Sequence, residues 1–384
     1  MDLRALTGDD PRDVLRALRG ALHGAGPALA IGMVGTAPAQ VPAGTAVVVT
    51  TSGSTGVPKS VVLSRDALIS SAMATADRVG SGAWLLALPT SYVAGLQVLV
   101  RALVADREPA ILAGRFTPEA FAAAATMMAS SRGGERVPTY TSLVPAQLTR
   151  LLDAAETDTT VRAAVRSFET ILVGGQALAV ATLERAQALG ARVVRTYGST
   201  ETSGGCVYDG RALRGVSVRV SDGEVQIAGP TLADGYLGED DRTAAAFTID
   251  PDGTRWYRTG DAGLIEGDLL RIRGRIDNVI ISGGINVSLD RVERAVRTVP
   301  GLASAVVVGI DDPRWGEVPV VVAPRGEALR RSESVQFDEA RQAVADEVGR
   351  HARPARLVLV DELPTLPSGK PDRESIRAGV AALH

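Results

Sequence analysis

Several residue types are scarce in this 384-residue chain, and each scarcity excludes something. There is one cysteine, Cys206, so no internal disulfide can form and a cytoplasmic setting is expected. Basic and acidic residues nearly cancel, 41 against 44, and the net charge of −3 leaves no sustained basic surface for nucleic acid. A membrane span needs roughly 20 mostly apolar residues in a row. The most apolar stretch, Ala83 to Ala105, is broken by Pro89, Thr90, Ser91, Gln97 and Arg101, and it reads as a buried strand, a turn and a helix. The start, MDLRALTGDDPRDVLRALRG, is acidic and amphipathic, without the cationic start and apolar core of a secretory signal. Neither nucleic acid nor a membrane is expected as a partner.

Lysine is the scarcest charge. Of the 41 basic residues only Lys59 and Lys370 are lysines; arginine supplies the rest. A general bias toward arginine explains the arginines, but not why both lysines fall inside Gly/Pro-rich motifs. Those two places ask for a compact ammonium on a flexible stem.

What is present is an ordinary soluble composition, 45% hydrophobic and 22% charged, long enough for two domains. From Val47 to about Arg275, apolar runs alternate with helical patterns. Ala46–Thr50, Trp84–Leu88, Thr170–Val173 and Arg192–Thr196 read as buried strands, and Arg65–Val79, Pro118–Ala129, Pro145–Asp153 and Val180–Leu189 as helices. This alternation predicts an α/β fold of parallel sheets covered by helices. Gly215–Asp268 is turn-rich, with short strands at Glu224–Ile227, Arg255–Arg258 and Leu269–Arg273, and reads as a small β subdomain. From near Asn278 a smaller α+β unit follows: a helix over Ser288–Thr298, strands over Ala303–Gly309 and Val318–Ala323, a helix over Gln336–Gly349 and a strand over Arg356–Val360.

Five motifs carry the chemistry. Thr50-Thr51-Ser52-Gly53-Ser54-Thr55-Gly56-Val57-Pro58-Lys59, placed after a strand and before a helix, is dense in hydroxyls and glycines that can wrap a polyphosphate. Pro58 before the lysine excludes a Walker loop. Tyr197-Gly198-Ser199-Thr200-Glu201-Thr202 follows a strand; its ring can stack on a base, a hydroxyl can touch phosphate and its carboxylate can hold Mg²⁺. Tyr257-Arg258-Thr259-Gly260-Asp261 offers a carboxylate at a strand end for ribose hydroxyls. Arg271 to Asn278 offers Arg275 to ribose or phosphate, with a polar residue after it. Leu366-Pro367-Ser368-Gly369-Lys370 can deliver an ammonium to a distant site.

In this order and spacing the five motifs resemble those of the adenylate-forming superfamily of acyl-CoA synthetases, peptide-synthetase adenylation domains and luciferases, over residues 46 to 376. Further matches are Gly174-Gly175-Gln176-Ala177-Leu178, Gly223 to Tyr236, and Ile281-Ser282-Gly283-Gly284-Ile285-Asn286-Val287 with Glu293. The resemblance implies an N-terminal domain over residues 1–275 and a small mobile C-terminal domain over 276–384, hinged at Asp277. It implies that Thr51, Ser52, Gly53, Ser54, Thr55, Gly56 and Lys59 hold the ATP phosphates. Gly174, Gly175, Gln176 and Tyr197, with Gly198 and Ser199, would border the nucleotide; Thr200 would touch the α-phosphate and Glu201 bind Mg²⁺. Asp261 and Arg275 would bind ribose, Gly283 and Gly284 would flank the coenzyme A tunnel, and Lys370 would act in adenylation.

The sequence departs from the family pattern twice. The phosphate loop begins at residue 51, so much of the first subdomain is missing, leaving apolar surface that a homodimer could cover. In Leu88-Pro89-Thr90-Ser91-Tyr92-Val93-Ala94-Gly95-Leu96, Tyr92 stands where many relatives have His, and His23, His351 and His384 lie elsewhere. LPTSYVAGLQVL and TSLVPAQLTRLL are most similar to the o-succinylbenzoate–CoA ligase branch of menaquinone biosynthesis. Tyr92, Gly95, Leu96, Ser142, Gln147 and Thr202 are the acyl-pocket candidates, while Leu143, Leu148 and Leu151 read as core. The enzyme alternatives are ligation of another aryl or acyl acid, or loading of a carrier protein, for which no carrier domain is read before His384. A regulatory nucleotide-binding protein with a dead site would have lost Lys59, Glu201, Asp261 or Lys370, and all four are present.

Overall fold

The computed structural model describes the chain apart from residues 7–9, 33–37, 53–57, 129–130, 326–331, 367–369 and 384 and the side chains of Ser52 and Arg132. Two sheets form the body of the large lobe. In one, Leu3–Ala5, Ala28–Ile31 and Thr45–Ser52 run parallel, and Pro58–Ser64 and Gly235–Tyr236 complete the edge. The other has the order Arg211–Ala212, Gly204–Tyr208, Val193–Ser199, Thr170–Val173, Thr139–Leu143, Ala83–Leu86, Ala110–Ile111, and its last five strands are parallel. Continuous apolar runs such as Val47-Val48-Val49 and Ile171-Leu172-Val173 form these strands because both faces of each sheet are covered. The helix Val93–Val104 is buried nearly all round, from Gly95 to Ala102, which explains its apolar sequence without a membrane. No helix among the described residues is long and apolar enough to cross one.

The expected strands and helices are present, with ends displaced by a few residues. Arg65–Val79 starts behind Ser64, whose hydroxyl caps Ala67 N–H at 3.1 Å, and stops at Gly80 with φ +97°. Residues 217–275 make an antiparallel sheet of their own, and residues 279–360 a mixed one, in the order Ile285–Ser288, Val279–Ser282, Gly316–Pro324, Val306–Asp312, with Arg356–Val360 parallel on Gly316–Pro324.

Three motif placements differ from expectation. The hydroxyl-rich segment does not lead into a helix: Thr45–Ser52 pairs antiparallel with Pro58–Ser64, Thr51 opposite Lys59, so the described ends of the segment lie on two paired strands. Val61, Val62 and Leu63 bury against the sheet, and the helix waits until Arg65. Tyr197 to Ser199 belong to the strand, which is prolonged by pairing with Gly204–Tyr208. Asp261 sits within the long strand Arg255–Glu266, opposite Arg275, because a bulge after Ala262 lets the ladder continue.

Candidate active site

Glu201 stands in the short turn Thr200–Thr202 just after the Val193–Ser199 strand and is 3% exposed. A carboxylate this deep needs partners. The sheet of Lys59 and Tyr236 brings two of them: the ammonium of Lys59 is paired with it, and the Tyr236 hydroxyl donates to Oε1 at 3.0 Å. Burial pushes the Glu201 carboxyl up, yet the Lys59 ammonium outweighs this and holds it below its ordinary value. The same carboxylate, with burial, pushes the Tyr236 hydroxyl up. Thr200 lies buried beside Glu201, and the Thr202 hydroxyl is spent on the turn, accepting from Ser199 N–H at 2.9 Å and donating to Gly204 O at 2.7 Å.

A second acidic group faces the same strand. The Tyr197 hydroxyl donates to Asp261 Oδ2 at 2.6 Å, and Arg275 Nη1 donates to Asp261 Oδ1 at 3.3 Å. Burial raises the Asp261 carboxyl above its ordinary range, against the pull of Tyr197 and Arg275. Arg275 is also gripped by Asp277, from Nε to Oδ1 and from Nη2 to Oδ2, each at 2.9 Å.

Between these groups lies the turn after Thr170–Val173. Gly174 packs so tightly that a Cβ there would come 2.2 Å from Thr196 Oγ1, and Gly175 has φ +83°. Gln176 has a buried Nε2 without a hydrogen-bond partner among the described residues, a donor that a ligand can use. A Cβ built on Gly175 would meet Lys370 Cε at 3.4 Å. The tail ammonium therefore reaches the mouth of the cleft. The residue is exposed, yet the surrounding protein desolvates the amine and lowers its pKa, while Glu201 and Asp261 pull it back up.

The structure thus gathers Lys59, Gly174, Gly175, Gln176, Tyr197, Gly198, Ser199, Thr200, Glu201, Asp261, Arg275 and Lys370 around one cleft. Thr51 stands opposite Lys59 in the strand pair. Gly53, Ser54, Thr55 and Gly56 lie outside the described residues, as does the Ser52 side chain. Among the described residues Gly283 and Gly284 touch no member of this cleft: a Cβ on Gly283 would meet Trp315, and one on Gly284 nothing within 4 Å.

The acyl-pocket candidates have mixed surroundings. Leu96 is fully buried, Gly95 is pressed on Pro89 O, and Gln147 is used by the backbone, accepting from Val144 N–H at 3.1 Å and donating to Ala87 O at 2.9 Å. Tyr92 precedes the Val93–Val104 helix at its N-cap. Leu143, Leu148 and Leu151 are core, Leu143 in a strand. Ser142 points to the residue that the sequence motifs passed over. Its hydroxyl accepts from Arg101 Nη1 at 3.3 Å. Arg101 is 6% exposed and has no carboxylate partner among the described residues. The Tyr208 hydroxyl lies 3.4 Å from Nη2, the Trp84 ring lies 5.0 Å away, and Nε has no acceptor. Burial lowers its pKa. Its sequence signal was the one charged residue in the Val93–Val104 helix.

The fold and this cleft define a class. The model of the AMP-binding enzyme family matches residues 13–237, and that of the AMP-binding enzyme C-terminal domain matches residues 291–370. The chain belongs to the AMP-binding enzymes. It is 38% identical over 347 residues to a protein of Mycobacterium tuberculosis named probable 2-succinylbenzoate–CoA ligase, covering 88% of this chain and 85% of that one. It is 29% identical to the 2-succinylbenzoate–CoA ligase of Bacillus pumilus, covering 87% and 69%. Among solved structures, o-succinylbenzoate coenzyme A synthetase from Bacillus subtilis in complex with AMP superposes with a TM-score of 0.69 at 26% identity, covering 87% of this chain and 69% of that one. ATP-bound MatB from Rhodopseudomonas palustris, at 24% identity, shares the fold with a TM-score of 0.74, covering 90% and 71%.

Proposed function

We propose that this chain joins a carboxylic acid to coenzyme A by way of an acyl-AMP, and that the acid is o-succinylbenzoate. The observation that carries the ligase reading is Lys370: the only lysine outside the phosphate motif comes from the far end of the chain to the Gly174–Gly175 turn, within electrostatic reach of Glu201 and Asp261. A family of AMP-binding enzymes and relatives named as 2-succinylbenzoate–CoA ligases support the same reading.

In the first half-reaction an oxygen of the acid's carboxylate bonds to the α-phosphorus of ATP, and the bond to the pyrophosphate oxygen breaks. The chain's task is to position and to neutralise. Thr51 and Lys59 present the strand pair to the phosphates, and Lys370 and Thr200 face the reacting groups. Asp261 and Arg275 receive the ribose, exchanging their bonds with Tyr197 and each other for bonds to its hydroxyls. Gln176 offers its unpaired N–H to the base. For Mg²⁺ the described residues contain no cluster of three or more acidic, His or Cys side chains. Glu201 alone fits an ion that takes few protein oxygens and shares phosphate oxygens. It would hold Mg²⁺, which would supply charge neutralisation on the phosphates. In the second half-reaction the small domain, residues 276–384, turns at Asp277 and removes Lys370. The coenzyme A thiolate then attacks the acyl carbonyl and AMP leaves. Gly283 and Gly284 would come to the cleft only after that turn.

The choice of acid rests on Arg101. o-Succinylbenzoate carries two carboxylates, of which one is adenylated and the other needs a cation. A buried guanidinium without a carboxylate is costly unless a ligand supplies the anion. Arg101 is joined to the cleft by packed groups: Tyr208 borders Gly205, which borders Thr196, which borders Gly174. A pyrophosphate-release screen of o-succinylbenzoate, benzoates and fatty acids, each with and without coenzyme A, tests both parts. The expected result is release with o-succinylbenzoate and thioester only when coenzyme A is added. Release with a monocarboxylate alone would remove the role given to Arg101, and no release with any acid would remove the ligase.

A further inference from the structure

We propose that Asp290 is a positioning residue that clamps the chain on both sides of Asp277 and so holds the arrangement in which Lys370 reaches the cleft. The proposal rests on the reading of Asp277 as the hinge of a two-step ligase. Asp290 stands in the first turn of the Leu289–Val296 helix, whose preceding residue, Ser288, makes no side-chain cap. Its carboxylate turns to the linker instead. Oδ2 accepts from Arg275 N–H at 2.6 Å, and Oδ1 accepts from Asn278 Nδ2 at 2.6 Å. Leu289 N–H adds a bond to Asn278 O at 3.0 Å.

These two partners belong to different lobes. Arg275 is laddered to Asp261 in the sheet of the large lobe, whereas Asn278 leads directly into Val279–Ser282, a strand of the small lobe. One carboxylate of the small lobe thus bonds to the residues that flank Asp277 on either side. Gly274 makes the approach feasible, since a Cβ there would lie 2.6 Å from Asp290 Cβ, and its φ of +141° suits glycine. The helix N-terminus favours the negative charge of the carboxylate, and a charged acceptor strengthens both bonds.

The helix also connects the clamp to the tail. Glu293, on the same helix, accepts from Arg373 Nη2 at 2.6 Å and from Val307 N–H at 3.0 Å, and Arg373 is three residues beyond Lys370. The helix therefore fixes both the linker and the segment that carries the ammonium. Turning the backbone at Asp277 must break the bond from Arg275 N–H to Asp290.

The test separates the two half-reactions. ATP–pyrophosphate exchange with o-succinylbenzoate reads the first, and thioester formation from purified acyl-AMP and coenzyme A reads the second. Asp290→Ala is expected to slow exchange about tenfold, the scale of one lost hydrogen bond to a charged group, and to leave the second half-reaction unchanged or faster. Asp290→Asn keeps an acceptor for Arg275 N–H and should recover most of the exchange. Tryptic cleavage after Arg275 in the ligand-free protein should be faster in Asp290→Ala than in wild type, at an unchanged melting temperature. Equal slowing of both half-reactions, or unchanged exchange and cleavage, would overturn the clamp. Asp277→Pro is the control for the hinge: it should slow the second half-reaction more than the first, which also loses the grip on Arg275, and equal slowing of both would remove the hinge while leaving the ligase reading intact. If no acid supported exchange, the ligase reading would fall, and the clamp would then stand or fall on the proteolysis.

Discussion

The Lys59 ammonium is paired with the Glu201 carboxylate, across two sheets and 142 residues of sequence. One side chain is expected to meet phosphate and the other a metal ion, and in this structure each pairs with the other. The pair keeps two charges in a cleft that is too dry for either alone.

Glu201→Gln should therefore act on stability as well as on catalysis. It leaves the Lys59 ammonium unpaired while only 20% of its side chain is exposed, at a cost of about 3 kcal/mol, the low end for a broken buried pair. The pH dependence follows from the direction of the shift. The folded-state pKa lies below the ordinary 4.5, so the stabilisation is complete above that value and fades as pH falls through it toward the folded value. Melting curves of wild type should show an acid slope in this window that Glu201→Gln lacks. Parallel slopes in the two proteins would contradict the pairing.

Lys370→Ala should slow pyrophosphate exchange by roughly 10²–10³-fold, as for one preorganised donor. Burial lowers the Lys370 pKa, so the charged form is lost on the alkaline side before the ordinary 10.5. The kcat/KM for adenylation, which reports the free enzyme, should fall through a limb below that value. Lys370→Arg should move the limb up or abolish it. Normal exchange in Lys370→Ala would refute the role.

Arg101→Met removes a buried cation that has no carboxylate, so stability should be unchanged or higher. Affinity for o-succinylbenzoate should drop about 10²-fold, the scale of a lost charge-assisted pair, with the KM for ATP unchanged. A loss of stability with unaltered acid KM would make Arg101 a core residue and nothing more.

Gly198→Ala tests the packing of the nucleotide wall. A Cβ there would stand 2.1 Å from Gly204 O, a backbone atom that cannot swing aside. The Val193–Ser199 and Gly204–Tyr208 strands must part, at about 1–3 kcal/mol for an overpacked site. Calorimetry should show a lower melting temperature, and ATP titration a weaker affinity.

The sequence by itself determined the order of strands and helices, because buried strands read as unbroken apolar runs and helices carry their own caps, as at Ser64 and Gly80. It also marked the nucleotide cleft, since Lys59, Tyr197, Glu201, Asp261 and Lys370 stand in motifs whose glycines and hydroxyls make local sense. Only the tertiary structure decided how these residues pair. That Lys59 meets Glu201, that Tyr197 and Arg275 share Asp261, and that Asp290 reaches back to Arg275 are long-range contacts with no local signature. Arg101 shows the same limit. In the sequence it interrupts an apolar helix, and only the packing of Trp84, Ser142 and Tyr208 around it reveals a charge with no carboxylate to answer it. Local periodicity fixes which face of a segment is buried, whereas what a buried charge faces depends on how distant segments pack.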